Sequence, residues 1–166
     1  MKSIFAAIDR AIEYLVAAIF VGMVLVGFLQ VFSRFLLNVT PSWCEEMQIF
    51  GHIWLVFLAI PIAYRRGAHI TVEAIRRVMS PLMNRALDLV IEFMWAGFAI
   101  ATTYYSYRVS LVTARSVSPG LEIPMSYPYY GMVLGGAYLL LLVIRRFTGE
   151  LPPPDPDELP PEMTAP

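Results

Sequence analysis

His52 is the one ionisable side chain that interrupts the long apolar stretch between Met47 and Tyr64. It comes six residues after Glu46, so in a helix it would lie about 9 Å beyond that carboxylate. An imidazole at such a depth could relay protons, because histidine titrates near physiological pH. A hydrogen bond to a neighbouring helix is the simpler role, and it is the one we expect.

Two carboxylates, Asp88 and Glu92, are spaced i, i+4 and would share one face of a helix. They could contribute to a site for a coupling ion, but such a site needs more oxygen ligands and greater depth in a membrane. We therefore expect structural ion pairs with Arg85 or with Arg76 and Arg77 nearby.

Another group of charges, Arg34 with Glu45 and Glu46, borders a short connection between two apolar stretches. A short loop would bring the arginine close to both carboxylates. An ion pair that pins the loop is the expected role, and a docking surface for a partner subunit is the alternative. Gln30, near the same connection, is expected to contact a neighbouring helix.

The segment from Gly131 to Gly135 is a G-x-x-x-G motif, and Gly136 follows it. Small residues four positions apart let two helices approach closely within a membrane. The motif predicts close helix packing at this position without identifying the partner helix.

The other chemistry-bearing residues predict neither an enzyme nor a cofactor or metal site. Cys44 is the single cysteine, so an intramolecular disulfide and a cysteine cluster are excluded. His52 and His69 are the two histidines, and we expect them on opposite sides of the membrane, where they cannot pair around haem or zinc. The sequence contains no nucleophile elbow, no phosphate-binding glycine loop and no H-E-x-x-H. The net charge of −1 gives no reason to expect nucleic acid as a partner.

The elements that position these residues are predicted to be four transmembrane helices. Of the 166 residues, 58% are hydrophobic and 15% are charged, so one soluble core could not bury the apolar surface and lipid must cover it. A bilayer core needs about 20 apolar helical residues. The long intervals between charges predict an all-α integral membrane protein with spans at about 11–33, 45–64, 84–107 and 127–146. The first interval is long and lacks a small-x-small cleavage site, so we expect it to be retained as a span.

The basic residues indicate which ends of the spans face the cytoplasm. Nine of the twelve lie at the N-terminus, in the second connection and after the fourth span, and three lie on the other side. The positive-inside rule therefore predicts cytoplasmic N- and C-termini.

Local signals refine the ends of the helices. Ser42 and Glu45 have capping-box spacing, which predicts Ser42 as the N-cap of the second helix. Ser80 followed by Pro81 predicts the start of the third. Between these helices, residues 71–79 are expected to form a short amphipathic helix on the cytoplasmic surface. Residues 151–166 are rich in proline and acidic residues and are expected to form a disordered cytoplasmic tail.

From Arg34 to Glu73 the chain resembles the small membrane subunit of tripartite ATP-independent periplasmic (TRAP) transporters, the DctQ-like family. The motifs that carry the resemblance, in order, are Arg34-Phe35-Leu36-Leu37-Asn38, Ser42-Trp43, Glu45-Glu46, Trp54, Phe57-Leu58 and the run from Ala63 to Glu73. A further patch, Ile123-Pro124-Met125 with Tyr129 and Gly135, is similar to the family's loop into the last span. Ala59 departs from a usual glycine, and Glu73 replaces a usual aspartate.

The resemblance implies a fixed scaffold subunit. Such a subunit binds a large membrane permease subunit that carries the substrate and sodium sites, while a periplasmic solute-binding protein delivers an organic acid. Membrane lipids would surround the remaining surface. His69 and Glu73 would be i, i+4 in a helix and could tie the second connection to the second span. The candidate structural and partner-interface positions are Arg34, Trp43, Glu45, Glu46, His52, Arg65, His69, Glu73, Gly131 and Gly135.

Three other functions remain as alternatives. A small self-contained four-span exporter should place a carboxylate near the centre of its first span, whereas Glu13 lies only at the edge. A membrane oxidoreductase subunit would need paired cysteines or haem histidines. An accessory or assembly subunit of another membrane complex is compatible with the same features.

Overall fold

The computed structural model describes residues 2–39, 41–66 and 80–149, and these form four helices. They are α1 (Lys2–Leu36), α2 (Ser42–Arg65), α3 (Pro81–Thr113) and α4 (Tyr127–Phe147). All four are long and apolar enough to cross a membrane, which confirms the all-α architecture with four spanning helices. The expected amphipathic helix at 71–79, His69, Glu73 and the tail at 151–166 lie outside the described residues.

The starts of α2 and α3 differ in how they are capped. Ser80 caps α3 as expected, because its hydroxyl accepts a hydrogen bond from the Met83 N–H at 3.4 Å. In α2 the predicted N-cap is wrong: Ser42 is already helical, and Pro41 precedes it without a side-chain cap. The fixed φ of Pro41 holds the chain extended, and its carbonyl accepts the Cys44 N–H at 3.1 Å.

The connection between α1 and α2 begins with a left-handed residue. Asn38 has a φ of 54°, a conformation that asparagine tolerates better than most residues. This turn lets the N–H of Val39 return to the carbonyl of Ser33 at 3.2 Å and closes the end of α1. The left-handed turn that closes α1 therefore explains why an asparagine ends the Arg34–Asn38 motif.

The helices form a row in the order α1, α2, α4, α3. The principal packing contacts are those of α1 with α2, α2 with α4, and α4 with α3. α4 lies inside this row and supplies most of the buried core, which consists of Tyr64, Ala99, Tyr138, Leu139, Leu142 and Val143. The outer surface of α1 exposes bulky apolar side chains such as Phe28 and Phe35. Lipid or another apolar helix must cover such a surface.

Candidate functional site

The end of the row that carries the first residues of α1 and the last residues of α2 and α4 contains a polar network around Asp9. Asp9 is only 7% exposed. One carboxylate oxygen accepts a hydrogen bond from the Tyr138 hydroxyl at 2.6 Å. The other lies 2.9 Å from Arg65 and 3.8 Å from Arg145. A single buried carboxylate thus joins α1, α2 and α4, so we call this end of the row the network end.

Further charged groups extend this network along both sides. Glu13 pairs with Arg65 and, at 3.0 Å, with Arg66. The guanidinium of Arg145 also lies over the ring of Phe5, 4.2 Å from its centroid. Arg65, Arg66 and Arg145 therefore find acidic partners on α1.

Glu92 belongs to the network end as well. Its partners differ from Arg85, while Arg76 and Arg77, the other expected partners, lie outside the described residues. Its carboxylate accepts hydrogen bonds from the Tyr64 hydroxyl and from Arg146, the latter at 3.0 Å. In the described part of the chain Glu92 is therefore held by α2 and α4, not by Arg85. The i, i+4 spacing with Asp88 identified the helix face, but it could not show that α4 ends opposite Glu92.

The opposite end of the row holds the α3–α4 loop, and Glu46 anchors it. Within this loop, Val117 and Pro124 form an isolated antiparallel bridge. The carboxylate of Glu46 accepts the backbone N–H of Gly120 at 2.9 Å and that of Leu121 at 2.7 Å. Gly120 has to be small, because a Cβ there would lie 2.9 Å from a Glu46 oxygen and 3.0 Å from the Ser42 backbone. We call this end of the row the loop end.

Replacing the Glu46 carboxylate should release this loop. In Glu46→Gln, one of the two oxygens becomes an NH₂ group, which cannot accept the N–H that faces it. A hydrogen bond to a charged group contributes about 1.5–3 kcal/mol, so we expect amide exchange at Gly120 and Leu121 to accelerate by about tenfold or more. Hydrogen-exchange mass spectrometry in detergent measures this. Glu45→Gln is the matched control, and equal exchange in the two variants would contradict the anchoring role.

The expected ion pair of Arg34 with Glu45 or Glu46 is wrong. Among residues 2–39, 41–66 and 80–149, Arg34 and Glu45 are both exposed and neither is in an ion pair. The carboxylate of Glu46 is occupied by the loop. Trp43, which lies between these charges in the sequence, is half-buried. Arg34 and Glu45 therefore remain available at the loop end.

His52 also differs from its expected role. It lies on an exposed face of α2 and makes no hydrogen bond within the described residues. The contact between α1 and α2 is instead made by Gln48, whose amide donates to the carbonyl of Met23 at 2.7 Å. Gln30 is half-buried and is not the side chain that links these helices.

The glycine motif of α4 packs directly against α2. A Cβ on Gly131 would lie 2.7 Å from the Trp54 ring, and one on Gly135 would lie 2.7 Å from the carbonyl carbon of Phe57. The Trp54 indole N–H also donates to the carbonyl of Tyr127 at 3.0 Å. Gly136 faces the other neighbour, since a Cβ there would lie 2.5 Å from the hydroxyl of Thr103 on α3. These glycines explain how α4 packs closely on both sides.

Sequence reasoning identified Arg65 but missed most of its network. Asp9, Glu13, Tyr64 and Tyr138 were not candidates, because their spacing in the sequence forms no motif. One available signal was the concentration of arginines after the second and fourth spans, which implies acidic partners at the same end of the helices.

Two surface cavities lie outside these polar clusters and are apolar. One of about 500 Å³ is lined along α1 by residues such as Phe28 and Phe32. The other, about 420 Å³, lies between α2 and α3 and is lined by Ile60, Ile91, Met94, Trp95 and Phe98. Neither offers the charged or polar groups that would hold an organic acid.

Comparisons with known proteins match this chain to a family of membrane transporter components. The family described as tripartite ATP-independent periplasmic transporters, DctQ component, matches residues 23–152. A Haemophilus influenzae protein named as a TRAP transporter small permease is 24% identical over 149 residues, which cover 88% of this chain and 91% of the relative. The C4-dicarboxylate TRAP transporter small permease protein DctQ of Rhodobacter capsulatus is 25% identical, with 87% of this chain and 80% of the relative covered.

A third relative is much longer than this chain. The isethionate TRAP transporter permease protein DctMQ of Oleidesulfovibrio alaskensis is 22% identical over 111 residues, which are 66% of this chain but 18% of the relative. The family match covers most of the sequence, including α2, α3, α4 and the last part of α1. Together with four helices able to cross a membrane, it shows that this chain is a multi-pass membrane protein of the DctQ component family of TRAP transporters.

Proposed function

We propose that this chain is the scaffold subunit of a TRAP transporter that supports sodium-coupled uptake of an organic acid. The large permease subunit would carry the substrate and sodium sites, and a periplasmic solute-binding protein would deliver the solute. The observation that carries this proposal is the placement of polar groups. In the described residues the buried charges are collected at the network end and at Glu46, while the cavities are apolar. Such a chain is suited to holding a partner in place.

The relative named DctMQ supports association with a large permease. The part of that relative that matches this chain is 18% of its length, so a DctQ-like segment is covalently joined there to a much larger polypeptide. A separate small subunit would have to achieve the same proximity through non-covalent contacts between helices.

We also propose an orientation in the bacterial inner membrane. The network end would face the cytoplasm, because it holds four arginines, Arg65, Arg66, Arg145 and Arg146, at the ends of α2 and α4. The loop end would then face the periplasm. The exposed Arg34 and Glu45, with half-buried Trp43, would form a contact surface there for a partner subunit.

Reconstituted transport tests the scaffold role. Proteoliposomes should contain the large permease subunit from the same gene cluster, with the binding protein, a sodium gradient and the organic acid outside. Uptake should require this chain and should disappear without sodium. Uptake by this chain alone, or equal uptake when it is omitted, would contradict the proposal.

A further inference from the structure

One face of α2 is left uncovered by the other helices that the structure describes. Successive residues of this face are separated by four, three, four and seven positions in the sequence, which places them on a single face of a helix. All of them are exposed. We call this face the α2 seam, and it consists of Glu45, Ile49, His52, Val56 and Ala63.

The other faces of α2 are occupied by its neighbours. Gln48 and Gly51 meet α1 at Met23. Trp54 and Phe57 meet α4 at its glycines. The seam is therefore the direction in which α2 can accept one more helix.

His52 makes this face different from an ordinary lipid-facing stripe. It is the eleventh residue of the 24-residue α2, about 15 Å from the start of a helix about 36 Å long. In a helix that crosses the bilayer, a residue so far from either end lies deep in the hydrocarbon region. Ionisable side chains in spans almost always face other protein or water, because an unsatisfied polar group in hydrocarbon is costly. Ile49 and Val56 flank the imidazole and offer it no hydrogen bond.

We propose that the α2 seam binds a transmembrane helix of the large permease subunit, and that this helix presents a carboxyl, hydroxyl or amide group to His52. The inference rests on the proposed function and names the surface of this chain that would contact the large subunit. The apolar residues and Ala63 would provide close packing, and the imidazole would set the register of the two helices.

Two other occupants fit this surface less well. A second copy, related by a two-fold axis along the membrane normal, would place its own Glu45 beside the first Glu45, and the like charges would repel. Lipid tails would leave His52 without a hydrogen-bond partner. The DctMQ relative, in which a similar segment is part of a larger permease, favours the large subunit.

Co-purification of the large subunit with the tagged full chain tests the seam. His52→Leu removes the imidazole and keeps an apolar volume, and we expect about a three- to fifteen-fold loss of the co-purified partner at limiting concentration. Val56→Trp inserts a bulky side chain and should reduce recovery by about tenfold or more. Val24→Trp is the matched control on α1, because Val24 is 41% exposed and Val56 is 37% exposed.

Photocrosslinking identifies what covers the seam. A photoreactive amino acid in place of Val56 should form an adduct with the large subunit, and the same residue in place of Val24 should not. Adducts only with lipid, or with a second copy of the chain, would overturn the inference. So would equal recovery for His52→Leu, Val56→Trp, Val24→Trp and the unaltered chain.

The outcomes separate the two proposals. If the unaltered chain fails to retain the large subunit, the proposed function fails and the seam inference fails with it. If the unaltered chain retains the partner while both seam variants also retain it, the proposed function stands and only the seam is wrong. Size-exclusion profiles of the isolated variants confirm that each remains a folded, monodisperse protein.

Discussion

Gly135→Ala should destabilise the protein more than any other glycine-to-alanine change within the helices. The new Cβ would meet the backbone carbonyl group of Phe57, with 2.7 Å to its carbon. A backbone group in the middle of a helix cannot rotate away, so α2 would have to move off α4. Overpacking of this kind costs about 1–3 kcal/mol, and we expect the upper part of that range. For a chain of this size it corresponds to a Tm lower by about 5–10 °C.

The single cysteine offers a direct measurement of this effect. Cys44 is fully buried, so a thiol-reactive fluorescent dye will label it only as the helices separate during heating in detergent. Gly97→Ala is the control, because a Cβ at Gly97 meets no atom within 4 Å and alanine is the better helix former. The Tm of Gly131→Ala should lie between those of the other two variants, because the Trp54 side chain can shift away from the new Cβ. If Gly135→Ala and the Gly97→Ala control unfold at the same temperature, close α2–α4 packing at Gly135 is refuted.

Asp9→Asn should give the second large loss, this time from electrostatics. The change keeps the shape of the side chain and removes the charge that faces Arg65 at 2.9 Å and Arg145 at 3.8 Å. Leaving buried charges uncompensated costs about 3–5 kcal/mol. The Arg65 side chain remains 24% exposed, so solvent or lipid headgroups will offset part of this cost and we expect about 3 kcal/mol.

Three further variants separate the charge effect from a general loss of fold. Tyr138→Phe removes one hydrogen bond to Asp9 and should cost about 1 kcal/mol. Glu45→Gln neutralises an exposed carboxylate and should leave the thermal midpoint unchanged. The double variant Asp9→Asn with Arg65→Gln should lose less than the sum of the single changes, because both act on one ion pair. If the stability losses of the two single variants add strictly in the double variant, this ion pair is not the source of the destabilisation.

Several features of the molecule could be predicted from the sequence because they depend on local composition. The length of each apolar stretch decides whether a helix can cross a bilayer, so four spanning helices followed directly. Ser80 and Pro81 start α3 by local capping. The spacing of Gly131 and Gly135 predicted close packing, because small residues four positions apart on one helix face let another helix approach closely.

The partners of the polar residues depend on which helices are neighbours, and no local pattern encodes that order. Arg34 and Glu46 are close in the sequence, yet Glu46 binds a loop more than seventy residues away. Glu92 pairs with Arg146 because α3 lies beside α4. His52 was expected to hydrogen-bond to a neighbouring helix, and among the described residues it instead lies on an exposed face of α2. The amino-acid sequence thus determined which segments enter the membrane and where α3 begins, since these depend on residues within a few turns. Only the tertiary structure decided which charges meet and which face of α2 stays open, because both follow from the packing order of the helices.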